Sequence, residues 1–326
     1  MGTRNRSSKK DVTPTLRRDK HHGRLRVAVL MGGPSAEHEV SLNSGKNVLR
    51  SLDKKKYEAK AVVVSKKGLW PFPVKDLKKK FDLVFIAMHG EYGEDGTIQK
   101  ILDKIKIPYT GSGARASALG MDKNKTQKAF ERAGLRVPLY TTNLRKVSAI
   151  GMPLVVKPLD RGSSVGVTIV HSYGDFVPAL KTALRYSPSL MFERFIKGKE
   201  FTCGVVDYHG QTVALLPTEI VPKVSHFFDY QAKYTDGGSE EITPPRYLSQ
   251  QQIAQLQKTA VQAHQAIGCR GYSRTDFILG NDGKFYVLEI NTLPGLTEAS
   301  LLPKAARAVG IKFPELLDII IQSSLN

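Results

Sequence analysis

Four polar residues in the segment GYSRTDFILGNDGKFYVLEINT stand at a spacing that can hold a cation. Asp282-Gly283 predicts a two-residue hairpin turn, because both residues tolerate positive φ. A turn centred there sets Asp276 directly opposite Glu289, and Arg274 opposite Asn291. Side chains alternate faces along a strand, so all four project from one face. Two carboxylates facing each other repel. A hard cation relieves that repulsion. Asp276, Glu289 and Asn291 offer the oxygen ligands magnesium prefers, with phosphate oxygens and water completing its shell. The plainer alternative is an exposed face on which Arg274 pairs with one carboxylate. A second segment, VVKPLDRGSSVGV, ends an apolar strand in Lys157 and turns through Gly162, Ser163, Ser164 and Gly166. Such a loop can present backbone N–H groups to phosphate oxygens while the lysine adds charge. The order GxxxxGK[ST] is absent, so this is no Walker A loop. By itself it also fits an ordinary hairpin.

The elements that must position these residues follow from periodicity. LRVAVLMGG reads as a buried strand entering a glycine turn, and SAEHEVSLNSGKNVLRSL as a helix. Apolar runs at 57–65 and 81–88 and a helical pattern over 97–106 complete a parallel α/β sheet within 25–121. A second unit, 122–212, has a helix at 123–133, strands at 153–157, 165–170, 190–195 and 200–207, and a helix at 176–183. The third, 213–326, has a strand at 213–221, a polar loop from 222 to 245, a helix at 250–267, the hairpin, and two terminal helices. A long polar loop without secondary structure is a candidate lid or a disordered insertion.

The composition is that of an ordinary globular protein, 41% hydrophobic and 24% charged. No run approaches the ~18 apolar residues of a membrane helix, and the N-terminus lacks the apolar core of a secretory signal. Cys203 and Cys269 form no CxxC pair, which fits a reducing cytoplasm. The net charge is +19. Part of it sits in residues 1–24, a tail with eight Lys/Arg against Asp11 and Asp19, read as disordered. A nucleic-acid-binding arm is conceivable there, but no recognition motif follows and no nucleic-acid partner is expected. The remaining excess can draw in a polyphosphate substrate, or is simply a habit of the proteome.

The motifs GGPSAEHEVSL, MHGEYGEDGTIQ, MDKNKTQKAF, VVKPLDRGSSVGV, FDYQAKY, GYSRTDF and EINTLPGLTEASLLP, in that order, resemble the D-alanine–D-alanine ligases of the ATP-grasp superfamily. The resemblance runs from residue 25 to the C-terminus. It implies a three-domain α/β architecture, an N-terminal parallel sheet followed by two α+β subdomains sandwiching ATP. It also implies two D-alanines and ATP as substrates, two Mg2+ or Mn2+ ions, and a homodimer.

By resemblance, Glu37 binds the first D-alanine's ammonium and His89 lies near the substrates. Each also has a plainer role, at a helix start or a strand end. Lys123 and Lys157 match the lysines that grip the ATP phosphates; any one of 49 Lys/Arg is otherwise ordinary surface. Glu193, with Phe195 and Ile196, matches the adenine hinge, and Glu200 the ribose contact. Ser163 and Tyr234 match the pair that closes the site with Glu37, and Lys233 the residue that reaches the γ-phosphate. Asp276, Glu289 and Asn291 match the metal ligands. Arg274 and the backbone near Gly295 match the groups facing developing oxyanion charge. Ser300 and Leu301 match the position that receives the second carboxylate.

Phe228 and Gln231 stand where the family often has Tyr and Glu. The retained Tyr234 favours a dipeptide product over the D-alanine–D-lactate relatives. Other ATP-grasp carboxylate–amine ligases share the phosphate and metal residues without the full Glu37, Tyr234 and Ser300 set. A basic nucleic-acid binder would need no matched carboxylates. A catalytically silent relative would be expected to have lost a ligand or lysine.

Overall fold

The computed structural model describes residues 23–162, 164–223 and 237–325. Ser163, Phe228, Gln231, Lys233, Tyr234 and all but the end of the basic tail lie outside the described residues. β1 (Leu25–Gly32) is buried along most of its length, as a strand covered on both faces must be. Helix His38–Ser51 returns the chain to β2 (Tyr57–Val64), and helix Leu77–Lys80 precedes β3 (Leu83–Ile86). β1 lies between β2 and β3, parallel to both. The helix packs close on this sheet because residue 45 is glycine: a Cβ there would meet the Met31 side chain at 2.6 Å. Helix Thr97–Ile105 matches its expected position.

Helices Ala114–Met121 and Lys123–Arg132 lead into an antiparallel sheet. Asp122 caps the second helix by accepting the Lys125 N–H at 3.0 Å. The sheet contains β4 (Tyr140–Thr141), β5 (Leu154–Pro158), β6 (Thr168–Val170) and β7 (Leu190–Arg194), ordered β4-β7-β5-β6. β6 starts later than the sequence suggests. Ser164 (φ 58°) and Gly166 (φ 73°) adopt left-handed conformations that keep the preceding residues in a turn. Helix Tyr173–Leu184, with a Ser172/Asp175 capping box, covers one face.

The largest sheet holds β8 (Gly198–Tyr208), β9 (Gln211–Ala214), β10 (Thr218–Pro222), β11 (Ser239–Ile242), β12 (Tyr272–Gly280) and β13 (Phe285–Asn291). Three expectations are corrected here. The single strand at 213–221 is two, β9 and β10, both paired with β8. Pro217 lies in the break between them and has no N–H to give the ladder. The polar stretch 222–245 contains β11, an antiparallel edge strand on β10. Its sequence SEEI reads as loop because edge strands carry charge to discourage further pairing.

The third correction concerns the hairpin. Gly280 N–H bonds the Lys284 carbonyl at 2.9 Å, so the loop has three residues, Asn281, Asp282 and Gly283, rather than two. That would displace every pair by one. A register shift between Asp276 and Phe277 cancels it: Phe277 faces Val287 and Asp276 faces Glu289, leaving Leu288 as a bulge. The bulge's carbonyl is taken by the buried Gln127 side chain at 2.8 Å. Helix Gln250–Ile267, opened by a Ser249/Gln252 capping box and closed by Gly268 at φ 76°, packs against this sheet. Helices Leu301–Ala308 and Phe313–Gln322 end the chain, and Leu302, Leu316 and Ile320 join the same apolar core as β1 and β3.

Candidate active site

Two cavities meet at the hairpin. The smaller, about 410 Å³, is lined by Glu37, His89, Lys123, Arg274, Glu289 and Asn291, and by Gly295, Ser300 and Leu301. The larger, about 740 Å³, is lined by Lys123, Lys157, Glu193 and Glu200, by Phe195 and Ile196, and by Asp276 and Glu289. Every described residue expected at the site therefore faces one cavity or the other. Lys123 and Glu289 face both. Ser163, Lys233 and Tyr234 lie outside the described residues.

In the smaller cavity, the β1 turn and the end of β3 are tied together by serines. Ser35 Oγ donates to the His89 carbonyl at 2.7 Å and accepts the Glu37 N–H at 2.9 Å. Ser41 Oγ accepts the His89 N–H at 2.9 Å. Glu37 and His89 are thereby held beside each other at the carboxyl edge of the parallel sheet, where ligands of such sheets bind. Gly90, with φ 74°, takes the turn after His89 in a left-handed conformation, and a Cβ there would press on Glu37 Oε2 at 2.9 Å. Both ring nitrogens of His89 are engaged, Nε2 with Ser44 Oγ at 2.8 Å and Nδ1 with Glu94 Oε1 at 3.3 Å. Burial raises the proton affinity of Glu94, the nearby Glu37 charge adds to this, and His89 partly offsets it. Sequence reasoning missed Glu94 and Ser44. The signal for Glu94 was its position five residues beyond His89, across the Gly90 turn.

On the opposite wall, Ser300 heads helix Leu301–Ala308. Its Oγ accepts the Thr297 N–H at 3.1 Å and bonds Thr297 Oγ1 at 2.8 Å. The first N–H groups of a helix have no intrahelical acceptor, which suits them to a carboxylate. Gly295 belongs here sterically, since a Cβ would meet Ser300 Oγ at 2.7 Å.

Between the cavities, Arg274 grips Asp276 with two bonds, Nε to Oδ1 at 2.8 Å and Nη2 to Oδ2 at 2.9 Å. Thr202 Oγ1, across from Asp276 on β8, donates to Oδ1 at 2.9 Å. Burial opposes charge on Arg274. The carboxylates of Asp276, Glu289 and Glu94 more than offset this, so its proton affinity lies above the usual arginine value. The donor set suits a hard cation. An ionised carboxylate has about four lone-pair sites, so the three bonds to Asp276 leave capacity, and the Asn291 amide is fixed by its Oδ1 accepting the Leu293 N–H at 2.8 Å. Among the described residues no three His, Cys, Asp or Glu side chains cluster for a metal. Two carboxylates and an amide instead suit an ion that keeps water and phosphate as its other ligands.

In the larger cavity, Lys157 on β5 bonds Glu193 on β7 at 2.9 Å, with the side chains only 10% and 5% exposed. Lys123 Nζ donates to the Arg161 carbonyl in the glycine-rich turn. The three sheets and the cleft between the second and third are the architecture of an ATP-grasp enzyme. Family models described as D-ala D-ala ligase C-terminus and N-terminus match residues 118–322, and 26–78 with 71–112. The chain belongs to the D-alanine–D-alanine ligase family. It is 43% identical over 317 residues to the D-alanine–D-alanine ligase of Pelotomaculum thermopropionicum, covering 93% of this chain and 97% of that one. Against the Geobacter sulfurreducens D-alanine–D-alanine ligase it is 44% identical, covering 92% and 94%. Among solved structures, the Bacillus anthracis D-alanine–D-alanine ligase complexed with ATP superposes with a TM-score of 0.78 at 34% identity, covering 92% and 97%. The VanG D-Ala:D-Ser ligase of Enterococcus faecalis does so with 0.82 at 29%, covering 93% and 100%.

Proposed function

We infer that this protein joins two D-alanines into D-alanyl-D-alanine at the expense of ATP, through a D-alanyl phosphate, for peptidoglycan synthesis. One observation carries the reading: a nucleotide-sized cleft and a smaller polar chamber meet at the shared residues Lys123 and Glu289. A carboxylate does not acylate an amine at neutral pH, so it must be activated where the γ-phosphate can reach it.

In this reading Glu37 holds the ammonium of the first D-alanine, and His89 lies near the substrates. Ser300 and the N–H groups at Leu301 receive the carboxylate of the second. Lys123 and Lys157 hold the phosphates, Glu193 with Phe195 and Ile196 frames the adenine, and Glu200 meets the ribose. Arg274, with backbone N–H groups near Gly295, stabilises the tetrahedral oxyanion. Asp276, Glu289 and Asn291 would hold two Mg2+ or Mn2+ ions, which supply charge neutralisation during phosphoryl transfer. Ser163 and Tyr234 would close the chamber with Glu37 and keep water from the acyl phosphate, and Lys233 would reach the γ-phosphate. The division at 25–121, 122–212 and 213–326 belongs to the same proposal, each unit supplying one wall. So do a homodimer and a cytoplasmic location. Among the described residues no helix is long and apolar enough to cross a membrane.

The test is phosphate release from ATP and magnesium with D-alanine, D-serine, D-lactate and L-alanine as acceptors, alongside Asp276→Ala and Glu289→Ala. Phosphate matched by D-alanyl-D-alanine and abolished in both variants is the expected result. Turnover with another acceptor but none with D-alanine would keep the ATP-grasp chemistry and overturn the substrate.

A further inference from the structure

The ligase reading leaves one proton without a destination. The second amino acid arrives as an ammonium, and an amide nitrogen keeps a single proton. Its nitrogen must therefore shed two protons while the C–N bond forms and the C–O bond to phosphate breaks. The departing phosphate can accept one. A group beside the reacting carbonyl must accept the other, and it must do so first, because an ammonium has no lone pair with which to attack.

Among the described residues, four carboxylates line the smaller cavity: Glu37, Glu94, Glu241 and Glu289. Three are committed elsewhere. Glu241 is paired with Lys304 at 2.6 Å. Glu289 belongs to the proposed metal hairpin, and Glu37 to the ammonium of the first substrate. Glu94 remains. Its side chain is 15% exposed, opens into the chamber, and lies within electrostatic reach of Arg274, the group assigned to the oxyanion. The carbonyl under attack must sit at Arg274, so the attacking nitrogen must lie nearby.

We propose, resting on the ligase reading, that Glu94 is the catalytic residue that takes the first proton from the second substrate's ammonium, with His89 and Ser44 fixing its position. The Ser44–His89–Glu94 chain, with links of 2.8 and 3.3 Å, is buried at Ser44 and His89 and reaches the chamber only at Glu94. It holds the carboxylate in one orientation and its imidazole keeps one face polar. The charged and titratable groups facing Glu94 are His89, Glu37, Tyr272 and Arg274. Burial and the neighbouring Glu37 charge raise its proton affinity, and His89 and Arg274 keep the ionised form accessible. A proton acceptor works best when its affinity approaches the working pH.

The experiment compares wild type with Glu94→Gln, which keeps the shape and the acceptor facing His89 but cannot take a proton. Two acceptors are used in the full reaction: D-alanine, an ammonium at pH 7, and hydroxylamine, already mostly neutral there. With D-alanine the variant should be slowed roughly 10²-fold, while D-alanyl hydroxamate formation should stay within about threefold of wild type. Its dipeptide rate should also climb about tenfold per pH unit from about pH 7 to 9, more steeply than wild type, as free amine replaces the missing acceptor. A dipeptide rate near that of wild type would overturn the proposal. So would a hydroxamate rate that falls in step with it, since that marks a positioning role. If wild type itself forms neither product, the ligase reading is what fails.

Discussion

The Lys157–Glu193 pair lets a binding role be separated from a structural one. Lys157 on β5 lies diagonal to Glu193 on β7, with Val155 directly facing Glu193. The two side chains meet at 2.9 Å and are 10% and 5% exposed. Removing one member of a buried pair leaves the other charged in a poor solvent, at a cost of about 3–5 kcal/mol. Replacing both with apolar groups of similar volume is often neutral. Lys157→Met should therefore lower the local opening free energy of β5 and β7 by about 3 kcal/mol, while Lys157→Met with Glu193→Leu restores most of it. Amide hydrogen exchange within β5 and β7 reads this directly: ~10²-fold faster in the single variant, near wild type in the double. Both variants should lose ATP binding in a nucleotide titration, because Lys157 is assigned to the phosphates and Glu193 to the adenine edge. Unchanged exchange in Lys157→Met would refute the desolvation argument. A double variant that recovers its exchange protection and still binds ATP would refute the assignment.

Three further outcomes follow from the same geometry. Thr202→Val removes the hydroxyl that orients Asp276 Oδ1 and should weaken Mn2+ binding to the unliganded protein about tenfold, measured by electron paramagnetic resonance titration. Gln127→Leu strips the Leu288 carbonyl of its partner; denaturant unfolding should show a loss of about 1–3 kcal/mol, with slower phosphate release as Glu289 loses its fixed direction. His264 is buried, with its proton affinity lowered chiefly by that burial and only partly restored by Asp207. A depressed value means the native state prefers the neutral ring, so this contribution is present above the ordinary 6.5 and is lost as pH falls below it. A denaturation series from about pH 7 to 5 should therefore fall more steeply for wild type than for His264→Gln.

How much of this was legible in the sequence depended on whether the signal was local. The parallel sheet and helix Gln250–Ile267 were readable because a buried strand is a continuous apolar run and the helix carries its own cap and glycine stop. The hairpin pairing was reached by a route only partly right. The assumed two-residue loop has three residues, and Leu288 bulges to restore the same opposition of Asp276 and Glu289. Without the bulge, the three-residue loop would have set Glu289 opposite Thr275, on the other face from Asp276. The bulge was invisible because the side chain that takes its carbonyl, Gln127, lies 161 positions away. Glu94 was missed for a related reason: in sequence it is one acid among 30. Only the fold buries it against His89 and turns it toward the chamber. The families of lysines and acids at the nucleotide cleft were legible through motif resemblance, not through spacing, and the cavity then grouped those that are described.

The net charge of +19 invites an account in which attraction brings substrate to a basic site, and the site argues against it. Among the described residues the smaller chamber has four carboxylates, Glu37, Glu94, Glu241 and Glu289, against two cations, Lys123 and Arg274. In the larger cleft Lys123, Lys157, Arg194 and Lys197 face Glu193, Glu200, Asp276 and Glu289, so the formal charges balance. The described walls of the two cavities therefore carry none of the chain's excess. An acidic chamber suits two ammonium substrates, and a balanced cleft with paired lysines suits a polyphosphate that arrives with its own cations. The excess must lie outside these walls, where it can speed the encounter with a polyphosphate but cannot select one. In the proposed reading, recognition falls instead to fixed local pairs: Lys157 held by Glu193, Asp276 held by Arg274 and Thr202, and His89 held by Ser44 and Glu94.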